Sequence, residues 1–491
     1  MLLSLKKTYF ISIQIVLISA VTIFPQTGFD IKLRVTKWAD DKQSAFTFSF
    51  DDGFLSHYSN AAPILNNFGF KGTFNVMPPF LTETLPGIWR YGTWPMFLQL
   101  AQQGHEIASH TMNHYYLTSL PVGDTVTQGT ALYELYQSKK AIEQRIPDQK
   151  CITLAYPYSD RNALIDSLTA LFYEAGRSAG IEPNHHSLDS CFDLNSYVVN
   201  FSLPRNTLAD DLDELYAFMS WVHNSILNEQ WAIMMIHEMV PQSELPGLVS
   251  QGLYEPISNE WFTLLCEWIK SKSDIKEIWV EATANVIRYM KQRDNYQYQV
   301  VSSTTDEIKI NLTDELDDEI YNYPLSVYLT IPEDWDYVLF TQSNLIDTLT
   351  SLATDSGKVV LCKIIPDGGI ASLTKLSITG IDDDQLQPLA FELYQNYPNP
   401  FNPTTKIVYV IPNEMRNLKD FSPQAPRNDN VFVTLKVYDI LGNEVATLVN
   451  EEQAAGYKEV KFDGSHLSSG IYIYRLTANN FISSKKLSLI K

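Results

Sequence analysis

The chain has 491 residues, 45% hydrophobic and 12% aromatic, which is too long for one compact core and too apolar for a disordered chain, so several domains are expected. A formal net charge of −21 excludes a general nucleic-acid binder, which needs a basic footprint, and leaves neutral or cationic partners such as carbohydrate open. Four widely spaced cysteines (Cys151, Cys191, Cys266, Cys362) show neither zinc-knuckle nor redox spacing, and disulfides and buried thiols stay equally open.

In chain order, residues 1–26 read as an export signal: Lys6 and Lys7 precede an apolar run from Tyr9 to Phe24. That run is short for a bilayer span and fits a cleaved signal peptide, a single N-terminal anchor being the alternative. No later stretch is long and apolar enough to cross a membrane, so no stable span is expected after signal removal.

Between about residues 40 and 293, β-rich runs alternate with amphipathic ones. "SAFTFSF" predicts a strand, "SNAAPILNNFG" a helix closed by Gly69, "GTFNV" a strand, "TWPMFLQLAQQG" a helix and "HEIASH" a strand. "CITLAYPY", the helix "RNALIDSLTALFYEAG", "SYVVNFSLP", the helix "LADDLDELYAFMSWVHNSIL", "QWAIMMIHE" and "EIWVEATANVIRYMKQR" follow. Such alternation predicts parallel βα units, in a barrel or a doubly wound sheet, with reactive groups at the carboxyl ends of the strands. Residues 296–380 read as a small all-β module, 381–390 as a linker, and 391–491 as a second β module interrupted by the polar "NEMRNLKDFSPQAPRNDN". In "VTLKVYD", Val433, Leu435 and Val437 fall on one face, as a half-buried strand requires.

Four polar clusters end predicted strands: "FDDG" (Asp51, Asp52), "SHTMNH" (His110, His114), "AYPYSD" (Tyr158) and "MIHE" (His237). Asp-Asp-Gly alone is ordinary turn chemistry, and His237 alone fits a satisfied core histidine. In one βα fold, however, all four would meet at one mouth. A carboxylate with two imidazoles, Asp52, His110 and His114, is a good divalent-metal set. Asp51 beside such a cation is a candidate general base, and His237 could protonate a leaving group.

These motifs, in this order, resemble the polysaccharide deacetylase family (carbohydrate esterase family four, chitin deacetylase-like) over about residues 44–293. The resemblance implies a distorted (β/α) barrel with a divalent metal, usually zinc, on Asp52, His110 and His114. It further implies Asp51 as base, His237 as acid, the Tyr158 backbone N–H at the oxyanion, and removal of acetyl groups, N-acetyl first, from a polysaccharide. Ala155 stands where the family often has an arginine tethering the catalytic aspartate. Arg205 in "SLPRN" is expected to take that part, with Arg161 the alternative, and Trp221 reads as core or substrate wall. "LYQNYPNPFNPTTKIVYVIP", "VTLKVYDILGNEVATLV" and the terminal "KKLSLIK" resemble the type IX secretion sorting domain. That implies an Ig-like β-sandwich engaging the secretion machinery, with export through periplasm and outer membrane to the medium or the cell surface. An O-acetyl (xylan-type) esterase and a catalytically silent glycan-binding protein are the competing readings.

Overall fold

The computed structural model describes residues 30–376 and 391–489, apart from breaks at 86, 89, 188, 202–204, 356, 395, 397–398, 400, 413–429, 440–442, 455 and 479–480. The expected signal peptide, the expected linker and nearly all of the polar insertion lie outside the described residues.

Seven parallel strands form the barrel: β1 (Ser44–Phe50), β2 (Gly72–Val76), β3 (Glu106–Ser109), β4 (Thr153–Ala155), β5 (Ala175–Ala179), β6 (Leu194–Val198) and β7 (Trp231–Ile236). They pair in sequence order, and β7 returns to β1 with Ala45 opposite Trp231 and Phe50 opposite Ile236, which closes the ring. A short strand, Ile278–Val280, adds to the start of β1. The sequence of β1 explains its place. Phe46, Phe48 and Phe50 enter the core between strands and helices with Leu65, Phe218 and Phe262, each ring contributing about 1.5–3 kcal/mol of burial. Thr47 and Ser49 alternate to the other face, where Ser49 meets Asn75 and Arg177.

Two features depart from the predicted pattern. The expected helix 161–176 stops at Thr169, and its last residues open β5, "AGRSA". Helices Ala131–Arg145 and Asn259–Asp274 also pack on the barrel, outside the predicted set. All four cysteines are free thiols, three of them buried.

The chain divides into two compact units at residue 377. In the first, the strands after the barrel make two antiparallel sheets, and Leu33–Val35, which precedes the barrel, completes one of them against Leu325–Thr330. A single core joins strand-start residues of the barrel (Ala45, Ala175, Leu194, Trp231) to Trp38, Trp279, Leu325, Trp335 and Phe340. This packing covers the amino ends of the barrel strands, opposite the mouth that carries the polar clusters. The second unit has a three-stranded and a four-stranded antiparallel sheet around one core, a β-sandwich arrangement. Val433, Leu435 and Val437 are fully buried in it, as their spacing predicts.

Candidate metal centre

The three expected ligands meet where β1 and β3 end. Asp52 Oδ1 lies 3.5 Å from His110 Nε2 and 3.5 Å from His114 Nε2, and the two ring nitrogens are 3.1 Å apart. Donor atoms held about 2.0–2.1 Å from a tetrahedral ion are roughly 3.3–3.4 Å from one another, so this triangle fits one face of such a shell. Ring chemistry fits too. His110 Nδ1 donates to the Ala155 carbonyl at 2.8 Å, which leaves Nε2 bare to act as a ligand. Burial disfavours charge on His110, yet Asp51 and Asp52 more than offset it and raise its pKa. Burial and His110 push His114 down to about 4. Burial opposes charge on Asp52 as well, but its hydrogen bond to His110 helps to hold it well below the usual carboxylate range. His114 is thus held neutral, as an imidazole ligand must be, and Asp52 anionic, as a cation requires.

Local backbone geometry puts these groups there. Asp52, Thr111, His114, Tyr158 and Ser159 all have positive φ between 56° and 78°, a costly conformation outside glycine that clusters at functional sites. The loop carrying His114 is pinned by buried Glu134, which accepts from Asn113 N at 2.6 Å and Asn113 Nδ2 at 2.7 Å.

Asp51 sits beside the triangle and is buried. Asn75 Nδ2 donates to its Oδ1 at 2.8 Å, and Arg177 Nη2 makes a buried ion pair with the same oxygen. Burial alone would raise its pKa, but Arg177, with His110 and His237, brings it below the usual value. His237 follows β7 and is half-buried, and burial lowers its pKa although both aspartates oppose that. Tyr158 lies in the tight turn Pro157–Ser159, whose hydrogen bonds come from Ser159 N and Asp160 N, not from its own N–H. Its ring is exposed, stacks on Tyr116 at 4.1 Å and meets His114 edge-on at 4.5 Å. On the other side, exposed Tyr254 meets the His237 ring edge-on at 5.0 Å.

Arg205 does not reach Asp51. β6 ends at Val198, and Arg205 lies beyond it, buried over the Phe201 ring, 3.4 Å from Asp211 and 3.8 Å from Glu255. Arg161 pairs with Asp166 and Asp193 instead. The tether is Arg177, on the strand that the predicted pattern lacks. A lone arginine among small residues in "AGRSAG", one strand on from Ala155, was the available signal for it. Trp221 packs on Tyr197 and donates to the Ile181 carbonyl, away from the metal set.

Comparison with known proteins matches residues 39–175 to the polysaccharide deacetylase family and residues 395–491 to the secretion system C-terminal sorting domain. A gellan lyase of a Bacillus species is 26% identical over 350 residues, covering 69% of this chain and 13% of that protein. A provisionally named polysaccharide deacetylase of Bacillus subtilis (strain 168) is 27% identical over 133 residues, covering 27% of this chain and 43% of that protein. The chain thus spans less than half the length of either relative. Among solved structures, a Streptococcus pyogenes deacetylase in complex with acetate is similar at 24% identity and a TM-score of 0.26, covering 34% of this chain and 69% of that one.

Proposed function

For a chain that carries a polysaccharide deacetylase domain and a secretion-system C-terminal sorting domain, we propose the hydrolytic removal of acetyl groups, N-acetyl first, from a polysaccharide outside the cell. One observation carries the proposal: Asp52, His110 and His114 bring their ligand atoms within 3.1–3.5 Å of one another, beside a buried carboxylate held by an arginine. A divalent ion on those three residues, zinc being the best match to the donor set, would supply Lewis-acid charge to an acetyl carbonyl and lower the pKa of water there.

The chain's own groups do the rest. Arg177 and Asn75 both bond Asp51 Oδ1, which leaves Oδ2 to take the proton of the attacking water. The uncommitted Tyr158 N–H is a donor for the developing oxyanion. His237 in its charged form, which both aspartates favour, gives a proton to the departing amine or hydroxyl, and acetate leaves. Exposed rings beside His114 and His237 (Tyr116 and Tyr158; Tyr254) offer apolar faces of the kind that sugar rings stack on. Arg177 also weighs against a silent glycan-binding protein, because it fills the role that Ala155 cannot. The sorting domain implies secretion or surface display, and we extend this to passage through the periplasm and outer membrane.

Acetate release from N-acetylated (chitin, peptidoglycan) and O-acetylated (xylan) fragments, with metal analysis alongside, tests this reading. Asp51→Asn should lower kcat by about 10²–10⁴-fold with bound metal unchanged. His110→Ala should lose metal as well as activity. Release confined to O-acetyl substrates would replace the N-acetyl assignment, and wild-type turnover in both variants would defeat the whole scheme.

A further inference from the structure

One buried imidazole near the site has no part in these steps. His57 is fully buried among the rings of Phe50, Phe54 and Phe74, at 5.4, 5.6 and 5.9 Å. Its Nε2 is 2.7 Å from the backbone carbonyl oxygen of His237. A carbonyl only accepts, so Nε2 carries the proton. Nδ1 is then bare, and this buried atom has no hydrogen-bond partner among the described residues. An apolar side chain would fill the same pocket without that cost, so the imidazole is kept for the bond its other nitrogen makes. Burial lowers its pKa, which keeps the ring a neutral donor.

His57 is the first of five residues, His57–Ala61, that wind as a π turn inside the first helix after the aspartates, and such turns are frequent at functional sites. Ser56, just before this turn, and Asn60, within it, grip the segment that follows β7. Ser56 Oγ accepts from Met239 N at 3.3 Å, and Asn60 Nδ2 donates to the Met239 carbonyl at 2.8 Å. Three side chains therefore hold the backbone at 237 and 239. Between those points, buried Glu238 pairs with Arg90 at 2.7 Å. The segment that presents Asp51 and Asp52 thus also fixes the far wall of the mouth.

We propose that His57 is a positioning residue for the hydrolysis: its Nε2–H bond to the His237 carbonyl fixes the end of β7, so that the His237 imidazole is aimed at the leaving group. The inference rests on the proton-donor role read for His237 above.

Two substitutions in the full, metal-loaded chain separate the donor from the bulk. His57→Phe fills the pocket without an N–H, whereas His57→Gln keeps a donor. His57→Phe should lower kcat for acetate release by about 10–100-fold, the scale of a misplacement near 1 Å, with KM within about twofold and metal content unchanged. His57→Gln should recover most of that rate. The pair Ser56→Ala/Asn60→Leu, which loosens the same strand end, should lower kcat in the same direction and decides the matter if His57→Phe does not fold. A folded, metal-loaded His57→Phe with wild-type kcat overturns the inference, as does a KM rise at constant kcat or an indifferent Ser56/Asn60 pair. Wild-type protein inactive on every acetylated glycan overturns the hydrolase reading and this inference together, whereas an active wild type with an indifferent His57→Phe overturns this inference alone.

Discussion

Arg177 places a fixed positive charge inside the barrel, 4% exposed, with Nη2 on Asp51 and Nη1 3.3 Å from Ser196 Oγ. Asp51 is more acidic in the fold than in the unfolded chain. Its stabilising contribution is therefore complete above its unfolded pKa and is lost as pH falls through the lower, folded one. Arg177→Met would leave a buried carboxylate without its ion partner, a loss of about 3–5 kcal/mol in urea unfolding. Asp51 would also take up a proton at higher pH, so the acid-side fall in kcat/KM should move upward in pH. An unshifted acid limb in a folded Arg177→Met protein would remove Asp51 from the role of base. Arg177→Lys should restore only part of the effect, because a point charge cannot reproduce the planar fork that reaches Asp51 and Ser196 together.

At the scale of the element, β5 shows what the linear pattern conveys and what it hides. The site carboxylates and imidazoles were legible because they come in local pairs: Asp51 and Asp52 are adjacent behind a strand rich in β-formers, and His110 and His114 are four apart. β5 has no such signature, since Ala, Gly, Arg and Ser are poor strand formers taken alone. Its strand conformation comes from its place between β4 and β6, with Arg177 opposite Ala155 on one side and Leu194 on the other. Gly176 makes that place available. A Cβ there would stand 2.5 Å from the Tyr156 hydroxyl oxygen, on a buried ring. Gly176→Val should cost about 1–3 kcal/mol of stability and lower kcat by moving Arg177. Thermal unfolding with unchanged Tm and activity would show that β5 tolerates the displacement. Arg205 was misjudged for a related reason, because a residue's distance past a strand cannot be read where the strand's own end is uncertain.

For the whole molecule, the barrel and the β-structure after it share one core rather than meeting at a surface. A chain ending at residue 295 would uncover Trp38, Trp231 and Trp279, which are 0–7% exposed in the fold. Such a chain should precipitate or melt at least about 10 °C below one ending at residue 377, several kcal/mol at this size. Equal melting temperatures for the two would show that the barrel stands without its cover. The same architecture imposes an order on biosynthesis. Leu33 is matched to Leu329, so a growing polypeptide exposes its first strand for on the order of 15–60 s at ordinary translation rates before the complement leaves the ribosome. Throughout that delay the strand Leu33–Val35 lacks the partner it has in the fold, so this unit cannot lock until its second half has been made.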